Sequence, residues 1–87
     1  MLIFKFPIPL KDTFTVPVQA GAMFLCAQEQ NGQPQMWFTV DPAAPAVNRS
    51  FVLVPPGGTV TPDLLYLGTF QLAGGSIVLH LHEQVAL

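Results

Sequence analysis

The chain has 87 residues, 51% of them hydrophobic and only 9% charged, with a formal net charge of −2. A typical soluble domain carries roughly 25% charged residues, and a domain this small exposes a large share of its surface, so part of that surface is expected to lie against another chain. Three scattered cations (Lys5, Lys11, Arg49) exclude a phosphate-backbone binder, five carboxylates are too few for an acidic mimic of nucleic acid, and no apolar run approaches the roughly 18 residues of a membrane helix.

The first stretch, "MLIFKFPIPL", alternates with period two, placing Leu2, Phe4, Phe6, Ile8 and Leu10 on one face. Pro7 and Pro9 interrupt it as a leader peptide, and no basic segment precedes the apolar one, so it reads as a strand. "TFTVPVQ" repeats the alternation with Phe14, Val16 and Val18. Prolines within strands point to edge positions, because they give a ladder no N–H. Matching the apolar faces of the two strands predicts a hairpin through Lys11-Asp12-Thr13, pairing Leu10 with Phe14 and Ile8 with Val16.

"MFLCAQEQ" and "QPQMWFTV" flank Asn31-Gly32, a pair that takes the two positive φ angles of a type I′ turn. The implied register pairs Gln30 with Gln33, Glu29 with Pro34, Ala27 with Met36 and Leu25 with Phe38. Met23, Leu25, Ala27, Met36, Phe38 and Val40 then form the core face. Phe24, Cys26, Gln28, Gln35, Trp37 and Thr39 form the other. Pro34 falls at a non-hydrogen-bonded site of this hairpin.

"DPAAPAVNRS" is turn-rich, "FVLV" reads as a short buried strand ended by "PPGG", and "TPDLL" is expected to form one helical turn. "LYLGTFQL" and "SIVLHLHE" flank Ala73-Gly74-Gly75, and that turn pairs Leu72 with Ile77, Phe70 with Leu79 and Gly68 with Leu81. Leu67, Thr69, Gln71, Val78, His80 and His82 fall on the second face. About seven short strands over a single domain, residues 1–87, predict an all-β fold: a small antiparallel sandwich or partly closed barrel built from hairpins.

Gln30-Asn31-Gly32, Trp37, Val40-Asp41-Pro42, Pro45, Arg49, Phe51, Tyr66, Gly68-Thr69-Phe70, Gly74-Gly75 and His80 form a pattern along nearly the whole chain. It resembles a family of small proteins encoded by bacteriophages and prophages. The resemblance implies a phage or prophage origin and compact β structure, and it supplies no catalytic motif. The loop "VLVPPGGTVTPDLL" departs from that pattern in being unusually apolar, which puts any shared surface role of the loop in doubt.

Little in the chain looks like chemistry. His80 and His82, at i and i+2 on one strand face, sit about 7 Å apart, within reach of one metal ion. No third ligand is placed to join them, so they read as strand-face residues. Cys26 lies mid-strand as a structural thiol, with no second cysteine for an internal disulfide. "PPGGT" lacks the lysine of a phosphate loop, and no carboxylate pair has acid–base spacing. No enzyme, cofactor or metal is expected. Arg49 is either an interface anchor or a surface pair with Asp41 or Asp63. Trp37 is core if the sheets close over it and interface if only one sheet face is buried.

The sequence therefore points to a phage accessory protein of the host cytoplasm that acts by binding. Its partners are further copies of itself and a host or defence protein, as in anti-restriction or anti-CRISPR action. The candidate interface residues are Phe24, Gln35, Trp37, Arg49, His80 and His82. A minor virion or assembly component is the alternative, and a small-molecule-sequestering oligomer a further one.

Overall fold

The computed structural model describes residues 1–85. Asn31 and Gly32 both take positive φ, 53° and 80°, as the type I′ turn requires, and the strands on either side pair from Gln30↔Gln33 outward. Seven strands follow in chain order: β1 (Leu2–Pro7), β2 (Thr13–Gln19), β3 (Met23–Gln30), β4 (Gln33–Val40), β5 (Ala46–Val54), β6 (Leu64–Leu72) and β7 (Ile77–Gln84). The only helical element among the described residues is the short 3-10 turn Ala73–Gly75 between β6 and β7.

The strands form two antiparallel sheets, ordered β1-β4-β3 and β2-β5-β7-β6, which do not close into a barrel. The all-β sandwich expected from the sequence is what forms, about 17 Å through its thin dimension.

The predicted β1–β2 hairpin does not form: β1 pairs with β4, and β2 with β5 in the other sheet. The prolines give the reason. Ile8 N–H donates to the Pro34 carbonyl at 3.0 Å, so the backbone groups of Pro7 and Pro9 point away from β4. A strand added on that side would meet two missing donors in a row. The chain instead turns at Pro9, whose carbonyl accepts from Lys11 N, and crosses to the second sheet. Pro17 behaves likewise. Leu53 N donates to Asp12 O and Ala20 N to Pro45 O, and this phase turns the Pro17 nitrogen to the open edge of β2. Within the strands, Pro7 and Pro17 thus occupy the edge positions the sequence suggested, and Pro9 lies just beyond the end of β1. Pro34 differs, since β4 is the central strand of its sheet. Its missing N–H faces the end of β1, where the ladder stops.

The core lies between the sheets. Phe38 is its hub, edge-on to Phe6 at 5.7 Å, Phe24 at 5.5 Å and Phe51 at 6.4 Å between ring centroids. Phe14 stacks on Phe51 at 5.3 Å. Ile8, Val18, Met36, Val40 and Leu81 are fully buried around this cluster.

Two bulges set which side chains enter that core. β3 shifts register between Phe24 and Cys26, and β6 between Tyr66 and Gly68. An extra residue bends a strand and raises its twist. The two bulged strands are also where the sheets approach each other, with the Phe24 ring 3.9 Å from where a Gly68 side chain would begin. The hairpin register Ala27↔Met36 agrees with the sequence reading, but beyond the bulge Phe24 stands opposite Phe38 where Leu25 was expected. Phe24 therefore turns inward, and Met23 and Leu25 turn out to solvent. The β6–β7 register is as predicted from Leu72↔Ile77 to Gly68↔Leu81. The bulge then puts Tyr66 opposite His82 and tucks Leu67 against the core.

"TPDLL" is a turn and not a helix. Leu64 N donates to Thr61 O, and the Thr61 hydroxyl and Gln84 amide both donate to the Asp63 carboxylate. β5 extends to nine residues, Ala46–Val54, taking in the Arg49 region that read as loop. Among the described residues no helix is long and apolar enough to cross a membrane.

Candidate protein-interaction face

Alternation along β4 sends Pro34, Met36, Phe38 and Val40 into the core and Gln35, Trp37 and Thr39 to the outer face of the three-stranded sheet. Its neighbours there follow from register: Ile3, Lys5 and Pro7 from β1, and Met23, Cys26 and Gln28 from β3. The bulge adds Leu25. Ile3, Leu25, Cys26, Gln28 and Trp37 line a shallow hollow of about 250 Å³. Ile3 is 64% exposed and Leu25 47%. Trp37 is half-buried and belongs to neither extreme considered from the sequence: its ring lies on the outer face, flanked but not covered.

Gln35 lies beside this hollow and is only 9% exposed. The Lys5 ammonium donates to Gln30 Oε1 at 2.8 Å. In the register that bond crosses β4 diagonally over the Gln35 position. The Oε1 of Gln35 is sealed from solvent and accepts no hydrogen bond. Leaving a buried acceptor unpaired costs about 1–3 kcal/mol, so the chain holds an unfavourable group next to this apolar hollow.

The outer face of the other sheet has a different character. Tyr66 OH and Thr69 Oγ1 lie 2.7 Å apart, and Thr69 Oγ1 is 2.7 Å from His80 Nδ1. The Thr15 and Ser50 hydroxyls face each other nearby at 3.4 Å. His82 is only 3% exposed, packed edge-on against Tyr66 at 5.6 Å. Its Nδ1 lies 3.0 Å from the His80 carbonyl, which can only accept, so Nδ1 carries the proton. Polar groups here satisfy one another. The two histidines share a face as expected, but His82 is buried beneath Tyr66 and does not lie open. Among the described residues no three His, Cys, Asp or Glu side chains gather where they could hold a metal ion.

The remaining sequence candidates separate. Phe24 leaves the outer face for the core, because the bulge reverses its side. Arg49 is neither an exposed anchor nor a partner of Asp41 or Asp63. It faces the interior and binds Glu83, while Asp41 accepts from the Ala43 N–H. Cys26 and the histidines lie on outer faces of different sheets, so no thiol–imidazole pair is assembled.

The sequence reading placed Leu25 on the core face, and it put Ile3 on the outer face of β1 without naming it as an interface residue. The one available signal was the unbroken apolar run Met23-Phe24-Leu25-Cys26-Ala27, in which strict alternation fixes no face.

Over residues 1–86 the chain matches the model of a family described as a domain of unknown function, DUF7352. It belongs to that family. No curated protein and no solved structure matches it. DUF7352 membership brings neither an activity nor a source, so the apolar face, the orphaned Gln35 acceptor and the self-satisfied hydroxyl face are what a functional reading has to use.

Proposed function

We propose that this DUF7352 chain is a phage- or prophage-encoded accessory protein that works in the host cytoplasm by binding protein and not by catalysis. The outer face of the three-stranded sheet is its docking surface. The observation that carries this reading is the apolar hollow around Trp37 with the sealed, unpartnered Gln35 Oε1 beside it. Aromatic and aliphatic groups surrounded by amides make the kind of patch that buries well against another protein. The phage origin rests on the sequence pattern from Gln30 to His80 alone, and a host- or defence-directed target on that origin.

The test is site-specific photo-crosslinking in bacteria producing the protein, with a benzophenone side chain at position 3 or 25, and at 15 or 71 on the opposite face as controls. Discrete protein adducts from positions 3 and 25 only are expected. No adducts at all, or equal adducts from both faces, overturn the reading.

A further inference from the structure

We infer that Asn31-Gly32 is a site of spontaneous covalent modification, deamidation through a cyclic succinimide, and that the turn and the Glu29 carboxylate restrain it. The site lies at the tip of the β3–β4 hairpin, outside the Trp37 hollow, and does not depend on the docking reading.

In this reaction the Gly32 backbone nitrogen attacks Asn31 Cγ. The N–Cγ bond forms and the Cγ–Nδ2 bond breaks. The proton of the attacking nitrogen ends on Nδ2, which departs as ammonia. Water then opens the five-membered imide at either carbonyl and leaves aspartate or β-linked isoaspartate. Water is the sole co-reactant. Glycine is the residue that favours the attack, because no side chain crowds its nitrogen. At Gly32 even the position of an added Cβ meets nothing within 4 Å. Both residues are exposed, so water reaches the imide.

Two features of the fold oppose the reaction. First, Asn31 and Gly32 have φ of 53° and 80°, and a type I′ turn sets ψ of its first central residue near about +30°. At that angle the Asn31 Cβ lies nearly opposite the Gly32 nitrogen across the Cα–C bond, and the ring cannot close. Asn31 has to leave the turn conformation first. Second, Gly32 N–H donates to Glu29 Oε1 at 3.0 Å. The nitrogen becomes a nucleophile only as it gives up that proton, and a carboxylate that accepts it favours the protonated amide. The same bond holds the turn shut. Asn48, the other asparagine, precedes Arg49 within β5 and has no glycine after it.

Conversion is one-way. Either product adds one negative charge to the formal −2 of the chain. Isoaspartate also adds a methylene to the backbone of a two-residue loop, which the Gln30↔Gln33 pair cannot span as a type I′ turn. Gln30 Oε1 accepts from Lys5, so the modified hairpin end loosens that contact as well.

The experiment is incubation of the untagged chain in warm, mildly alkaline buffer, followed by peptide mass mapping with fragmentation that separates aspartate from isoaspartate. The native chain, Glu29→Gln and Glu29→Ala are compared, each folded and in guanidinium chloride. A gain of about 1 Da at position 31 is expected, with Asn48 unchanged over the same period. The folded native chain should convert slowest. Glu29→Ala should convert faster by about threefold or more, as fits the loss of a charge-assisted hydrogen bond, with Glu29→Gln between them. Denatured chains should convert fastest. Glu29 is exposed, and an unchanged denaturation midpoint in its variants shows that the gain comes from the turn and not from global unfolding. No conversion at Asn31 even in guanidinium overturns the site. Equal rates in the folded and denatured native chain, or folded Glu29→Ala no faster than native, overturn the restraint.

Discussion

Arg49 and Glu83 meet as a two-pronged ion pair, Nε to Oε2 and Nη2 to Oε1, both at 2.6 Å. They lie on neighbouring strands, with the guanidinium 5.0 Å from the Phe38 ring centroid in the opposite sheet. Arg49 Nη1 also donates to the Ala22 carbonyl at 2.7 Å, tying in the turn before β3. One side chain thus bridges β5, β7, the β2–β3 turn and the aromatic hub. With side chains only 21% and 12% exposed, removing either partner strands a charge in a poorly solvated place. Arg49→Met or Glu83→Leu alone is expected to destabilise by about 3–5 kcal/mol, and the double variant to recover most of it. Urea denaturation of the four-member cycle measures this. Additive losses would show that the pair is not coupled and that Arg49 acts through packing alone.

The bulge in β3 makes a prediction that strict alternation reverses. Phe24 packs edge-on against Phe38, and Leu25 points outward. Phe24→Ala is expected to cost about 3 kcal/mol, within the usual range for a core aromatic. Leu25→Ala should stay within about 0.5 kcal/mol, as surface substitutions do. Thermal or urea unfolding of the two variants decides it, and a larger loss at Leu25 would place the bulge elsewhere.

That pair of residues also marks the limit of what was legible in the sequence. Turn chemistry acts locally, so Asn31-Gly32 and Ala73-Gly74-Gly75 set their hairpin registers and were readable. Each register held as far as the first bulge, at Leu25 and at Leu67. A bulge responds to contacts made across the sandwich, here Phe24 over Gly68, and no local pattern encodes it. Strand pairing between distant segments was hidden in the same way. Pro7 and Pro9 were recognised as edge residues, but the edge they blocked was the one the expected hairpin with β2 needed. At the candidate face, Trp37 and Gln35 were legible because they follow the Asn31-Gly32 turn at fixed offsets. Arg49 was not, because its partner Glu83 lies 34 residues away on a strand paired through the sheet.

Gln35 gives a direct test of what an orphaned acceptor costs the fold. Its orphaned Oε1 is a burden on the single chain, and a side chain of similar shape without that acceptor removes the burden. Gln35→Met is expected to raise the unfolding free energy by about 1 kcal/mol. The measurement has to be made at concentrations where the chain is monomeric. If stability falls, the amide is satisfied in solution by a partner within the chain or by water, and Gln35 holds no orphaned acceptor.

Asp63 connects the turn before β6 to the end of β7, and it does so as an anion. The Thr61 hydroxyl is the chief cause that holds its carboxyl below the ordinary value of 3.8, and the Gln84 amide is the second. Both donate to the ionised form, with Gln84 Nε2 at 2.9 Å from Oδ2. Because the folded-state value is depressed, the contribution to stability is present above the unfolded pKa and is lost as pH falls through the folded one. Asp63 is partly exposed, so the effect should be visible in titration more than in global stability. NMR titration of the Asp63 side chain is the measurement. Thr61→Val is expected to bring the midpoint back toward 3.8, and to do so further than Gln84→Leu does. If Gln84→Leu gives the larger return, the inter-strand amide is the main anchor of the anion, and the turn is organised from β7 and not from Thr61.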